Sequence, residues 1–143
     1  MRPLIPALCL VIATIPLAAR ADDKPDLDQL EGDWRKVQFE INGTAGDADQ
    51  QPSLRIRNSK AFTLQDGKEN QDLELTLQFD STTSPKLIDV VLPNGQTLEG
   101  IYKLEAGRWT ICINSEPGVK NRPTTFESKQ GSKLILAVFE KAQ

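Results

Sequence analysis

Between Leu73 and Phe79 every second residue is apolar: Leu73, Leu75, Leu77 and Phe79 alternate with Glu74, Thr76 and Gln78. A period of two is the signature of a pleated strand with one buried and one wet face, and it fits an antiparallel sheet. Such a strand needs partners, and turn signals show where they lie. Val37, Phe39 and Ile41 alternate with polar residues as far as Asn42-Gly43. Pro52 starts a second run with Leu54 and Ile56, turned by Asn58-Ser59-Lys60. Phe62 and Leu64 form a third, closed by the hairpin dipeptide Asp66-Gly67. Residues 87–92 are short and apolar and end at Pro93-Asn94-Gly95; residues 97–104 and 108–114 make a hairpin about Ala106-Gly107. Residues 115–132 hold Pro117, Gly118, Pro123 and Gly131 and read as loop, before a last apolar run over 134–139. Eight strands with hairpin spacing and almost no helix predict an all-β fold. The expected form is an eight-stranded antiparallel up-and-down barrel, with a β-sandwich as the alternative. The inward face expected from this pattern carries Leu54, Ile56, Phe62, Leu64, Leu73, Leu75, Leu77 and Phe79. These are bulky residues, suited to a packed core or a narrow apolar pocket.

The first 21 residues read as an export signal. Arg2 supplies the positive start, residues 4–17 the apolar stretch, and Ala19-Arg20-Ala21 the cleavage site. Pro6 and Pro16 interrupt a run already short of the roughly 20 apolar residues that cross a bilayer. Cys9 lies inside that run and leaves no hydrophobic region before it for a lipidation signal. Residues 22–143 are thus expected to form one β-barrel domain, exported to a periplasmic or extracellular location after cleavage near Ala21, with no membrane span afterwards. From Asp22 to Glu31 the chain is polar and acidic; Pro25, Asp26 and Asp28 suit the first turn of a short helical segment leading into Leu30.

The segment removed contains Arg2 and Arg20 and no acid, so 15 basic residues face 20 acidic ones, a formal charge of −5. That sign disfavours nucleic acid and anionic membranes as partners. Cys112 is left alone, which excludes an intramolecular disulfide. There is no histidine, so Ser-His-Asp and Cys-His catalysis are excluded, as are ordinary zinc sites. No metal, cofactor or catalytic residue is assigned, and the chain reads as non-enzymatic.

Gly32-Asp33-Trp34 opens the first strand just after the helical turn and resembles the G-x-W element that begins lipocalins and related small barrels. By that resemblance Trp34 closes the barrel base against a basic side chain, for which Lys141 at the end of the last strand and Arg122 are the two candidates. A longer series runs through Pro85-Lys86-Leu87-Ile88-Asp89, Gly95-Gln96-Thr97-Leu98-Glu99-Gly100-Ile101-Tyr102, Trp109-Thr110-Ile111-Cys112 and Arg122-Pro123-Thr124-Thr125-Phe126. It resembles an uncharacterised family of small exported, lipocalin-like domains from planctomycete bacteria. The resemblance implies a source and a fold and no activity.

Four residues stand out as candidate ligand contacts. Asp89 interrupts an apolar strand, where a carboxylate needs a hydrogen bond, a cation or solvent. Tyr102 and Trp109 lie in adjacent strands joined by the Gly107 turn and read as core or mouth aromatics, and Arg122 lies in the "RPT" turn. Cys112 reads as a buried structural thiol. The function expected is binding of a small apolar ligand in a narrow barrel interior. The alternative is an interaction or structural module of the cell envelope with a packed core and a protein partner.

Overall fold

The computed structural model describes residues 23–50 and 52–142; the proposed signal segment lies outside them. A helix, α1 (Asp23–Leu30), leads into β1 (Gly32–Ile41). There follow a two-residue strand β2 (Thr44–Ala45), then β3 (Ser53–Arg57), β4 (Lys60–Gln65), a second two-residue strand β5 (Lys68–Glu69), and β6 (Leu75–Asp80). The remainder are β7 (Lys86–Val91), β8 (Thr97–Glu105), β9 (Arg108–Asn114) and β10 (Leu134–Lys141). The eight longer strands pair antiparallel in chain order from β1 to β10, and β10 returns to pair with β1 from Trp34↔Lys141 to Ile41↔Ile135. That seam closes the sheet, so the fold is a barrel and not a sandwich. Among the described residues no helix is long and apolar enough to cross a membrane.

The tight connections are built from the turn residues that the sequence placed there. Asn42-Gly43, Asp66-Gly67 and Ala106-Gly107 all adopt positive φ, the geometry that lets a two-residue hairpin follow the twist of its strands.

Register fixes which side chains fill the barrel. Ile56 pairs Ala61, Ala61 pairs Leu75, Leu77 pairs Val90, and Tyr102 pairs Ile111. These residues join Leu30, Trp34, Ile88, Trp109, Ala137 and Phe139 in one core cluster. Two expectations are corrected by this register. Because Ala61 points inward, Phe62 and Leu64 point out. Phe62 is nevertheless buried, with the Arg57 guanidinium 5.2 Å from its ring centroid. Leu73 ends a 3-10 turn (Gln71–Leu73) before β6 begins, and it is 51% exposed. Its period-two match to Leu75 carried the predicted strand one step too far.

A second, smaller cluster lies on the outer wall. Ile101, Cys112 and Leu136 are covered by residues 115–133, with Phe126 packed against them.

Candidate functional site

The two ends of the barrel differ. Strands β1, β4, β7 and β9 start at the end where α1 sits, and there the closure is dense. Leu30 is fully buried, and Trp34 donates its Nε1–H to Leu30 O at 2.7 Å. Lys141 Nζ stands 4.9 Å from the Trp34 ring centroid and donates to the carbonyls of Gln29 (2.9 Å) and Glu31. A cation at the C-terminus of α1 satisfies carbonyls that the helix leaves unpaired and complements its dipole. Gly32, at φ +120°, lets the chain turn beneath that ammonium; a Cβ there would lie 3.1 Å from Lys141 Cε. Of the two basic candidates, Lys141 is the one at Trp34. Arg122 is elsewhere.

Next to this plug, Asp26 of α1 reaches the barrel wall. Its Oδ2 accepts from Lys86 Nζ and from the Tyr102 hydroxyl, each at 2.8 Å. Tyr102 also packs edge-on against Phe79, with ring centroids 5.2 Å apart.

Next to the plug is an aromatic group whose members the sequence did not bring together. Trp109 lies 5.7 Å from Trp34 and 5.1 Å from Phe139, centroid to centroid. Its Nε1 is buried and has no hydrogen-bond partner. Beside it, β1 carries a bulge: Lys36 pairs Phe139 and Gln38 pairs Val138, leaving Val37 unmatched. A bulge inserts one residue and shifts the alternation, so Trp34, Lys36 and Phe39 all point inward. Lys36 Nζ sits 4.7 Å from the Phe39 ring centroid and 5.5 Å from that of Phe139. Burial pushes its ammonium below the ordinary lysine range. Among the described residues no carboxylate or hydrogen-bond acceptor meets it. The inward neighbours on the flanking strands, Leu54, Ile56, Ala137 and Phe139, are all apolar.

At the end away from α1 the inward side chains are only half-buried. Phe39, Leu54, Leu75, Leu98 and Ile135 pack on the core cluster and still meet solvent. Ile41 is 41% exposed at the same rim. The segment after β1 folds back over this end: Gly46 N–H donates to Phe39 O at 2.8 Å, and a Cβ on Gly46 would come within 2.5 Å of the Phe39 ring.

The four candidate ligand contacts do not form one site. Tyr102 and Trp109 face the interior, whereas Asp89 and Arg122 meet on the outer wall. There Arg122 bonds Asp89 at 2.7 Å and Glu99 at 3.0 Å, and donates to the carbonyls of Ile88 and Gly100. Its charge is consumed by two carboxylates, which ties residues 115–133 to β7 and β8. Cys112 is buried under the same segment and donates to Glu127 O at 3.5 Å. Burial pushes its thiol up from the ordinary range, against the opposing effect of that hydrogen bond, so the thiolate is disfavoured.

The residue missed, Lys36, did leave a trace in the sequence. Trp34 and Phe39 cannot share a face under strict alternation, so treating both as core residues requires a bulge between them.

No protein-family model, curated protein or solved structure matches the chain.

Proposed function

We propose that this chain is an exported, non-catalytic binding protein that takes a small apolar ligand at the open end of its barrel. The observation that supports it is the difference between the two ends. One is plugged by α1, Trp34 and Lys141, while the other presents Phe39, Leu54, Leu75, Leu98 and Ile135 half-buried on inward faces. Apolar surface left in contact with water at one end of a barrel is what a hydrophobic ligand covers. The fully buried layer of Trp34, Ile56, Ile88, Tyr102 and Phe139 fills the lower half, so the ligand is narrow and held in the upper half. Export accords with the apolar stretch before Ala21.

Native mass spectrometry of protein purified through its own export route, followed by organic extraction, tests this. A reproducible extra mass that extracts as an apolar compound supports the proposal. A clean apo mass together with no binding of the neutral probe Nile red sinks it.

The filled lower half favours a second reading, an envelope interaction module that needs only its surface. Capture of one stoichiometric envelope protein by apo protein that binds no Nile red is the result that would select it.

A further inference from the structure

We infer that the ligand is a slender amphipathic anion, a long-chain carboxylate, whose head group meets Lys36 inside the barrel and whose tail runs toward the open end. This rests on the proposal that the open end takes an apolar ligand, and adds to it the charge and shape of that ligand.

The bulge at Val37 turns an ammonium into the barrel and leaves it between the rings of Phe39 and Phe139. Ring faces attract a cation, but they do not replace the acceptors that water supplies to three N–H donors. Lys36 is half-buried, so its ammonium keeps only part of its hydration, and an anion that reaches it supplies the missing bonds. Among the described residues the pairing is absent. The other ion pairs join groups at the barrel ends or on the outer wall, such as Lys86–Asp26, Lys133–Glu116 and Arg122–Asp89. A second donor in the same aromatic cluster is also unmet. Trp109 is 1% exposed, packs on the Phe139 ring that Lys36 also contacts, and has no acceptor for Nε1–H. A half-buried ammonium and a buried indole N–H, neither with a protein acceptor, are complemented by an acceptor that a ligand brings.

Apart from the half-buried Thr63, which pairs Leu54, the inward side chains around Lys36 toward the open end are hydrocarbon: Leu54, Leu75, Leu98, Ile135 and Phe39. The complement to one cation among apolar side chains is one anion carrying an apolar chain. A carboxylate fits because it is acceptor-only when ionised and makes short, charge-assisted bonds to an ammonium. A bulky or multiply charged ligand fits neither the single cation nor the filled lower half.

The test compares dodecanoate with dodecan-1-ol, equal in chain length and differing in head-group charge. Each displaces Nile red from the wild-type protein below its micelle-forming concentration. The expected result is that dodecanoate binds more tightly by about tenfold or more, the usual value of a charge-assisted hydrogen bond. In Lys36→Met that preference is lost while dodecan-1-ol binds as before. In Lys103→Met, which removes a lysine from the outer wall beside Phe126, the preference is retained. Equal wild-type affinity for the two compounds overturns the anion and leaves the apolar ligand standing. A preference that survives Lys36→Met overturns Lys36 as its source. Failure of both compounds to bind removes the apolar-ligand proposal itself. The wild-type comparison needs no variant, so a poorly folded Lys36→Met still leaves the inference open to refutation.

Discussion

Two tryptophans of similar burial stand in opposite hydrogen-bonding states, and this separates their expected behaviour. Trp34 donates to Leu30 O, whereas Trp109 buries a donor with no acceptor. Replacing either by Phe removes ring area, but only Trp34→Phe also removes a made bond and orphans a carbonyl. Trp109→Phe removes an unmet donor whose desolvation was already a cost. Trp34→Phe is therefore expected to be the more destabilising by about 1–2 kcal/mol in urea unfolding; equal costs would contradict the assigned bonding. Lys36 makes the same argument in charge. Its pKa is lowered by burial, so the folded state disfavours the ammonium below the ordinary lysine pKa. Lys36→Met is expected to raise the melting temperature near neutral pH. That gain should shrink as pH rises through the lowered pKa toward 10.5, because the wild-type lysine then loses its proton on folding at ever smaller cost. A gain independent of pH would show that charge burial is not its origin. Lys36 was hidden in the sequence because an alternating pattern has no mark for an inserted residue. Reading Val37, Phe39 and Ile41 as one face placed Lys36 outside.

Among the elements, the strands were legible and their faces only partly so. Turn pairs such as Asp66-Gly67 demand backbone geometries that few residues tolerate, so strand ends could be placed from local chemistry. Facing depends on neighbours that lie far away in the chain. Phe62 looks like a core residue, yet Ala61 takes the interior and Phe62 is covered from outside, under Arg57. The segment over residues 115–133 is the clearest case. Its prolines and glycines rightly mark it as loop, but they do not show that it is a strap over a second apolar layer. Arg122 holds it, and side-chain exposures of 25% for Arg122 and 21% for Glu99 place this pairing well out of bulk water. Arg122→Ala leaves Asp89 and Glu99 as adjacent like charges on neighbouring strands, and is expected to cost about 2–3 kcal/mol. Arg122→Lys should recover part of this, since a lysine keeps the charge and loses the planar fork. Thiol labelling offers an independent readout. Cys112 is expected to react slowly with Ellman's reagent in the native protein and much faster in Arg122→Ala, as the strap lifts. Rapid labelling of the native protein would contradict the strap.

For the whole molecule, the count of eight strands left barrel and sandwich both open, because closure is a relation between the first and last strands that no local pattern expresses. The pairing of β1 with β10 decides it, and α1 then distinguishes a densely closed end from one whose inward side chains are half-buried. Asp26 is the helix's polar anchor. Lys86 and Tyr102 share its Oδ2, and its side chain is 10% exposed. In the sequence this aspartate marks only a helical first turn, since its two partners lie 60 and 76 residues further on. Asp26→Ala removes an acceptor from both, so α1 should release while the strands remain paired. The expected sign is faster hydrogen exchange at the Trp34 indole N–H, whose acceptor Leu30 O belongs to α1, ahead of any change in the amides of β7 to β9. Asp26→Asn keeps an acceptor for the Tyr102 hydroxyl but gives up the charge facing Lys86, and should fall between the two. Lys86 is 37% exposed and stays hydrated without Asp26, so adding Lys86→Met to Asp26→Ala should change stability little further. If exchange at the Trp34 indole and at the β7 to β9 amides instead accelerates together, α1 is not a separable plug and the two ends of the barrel unfold as one.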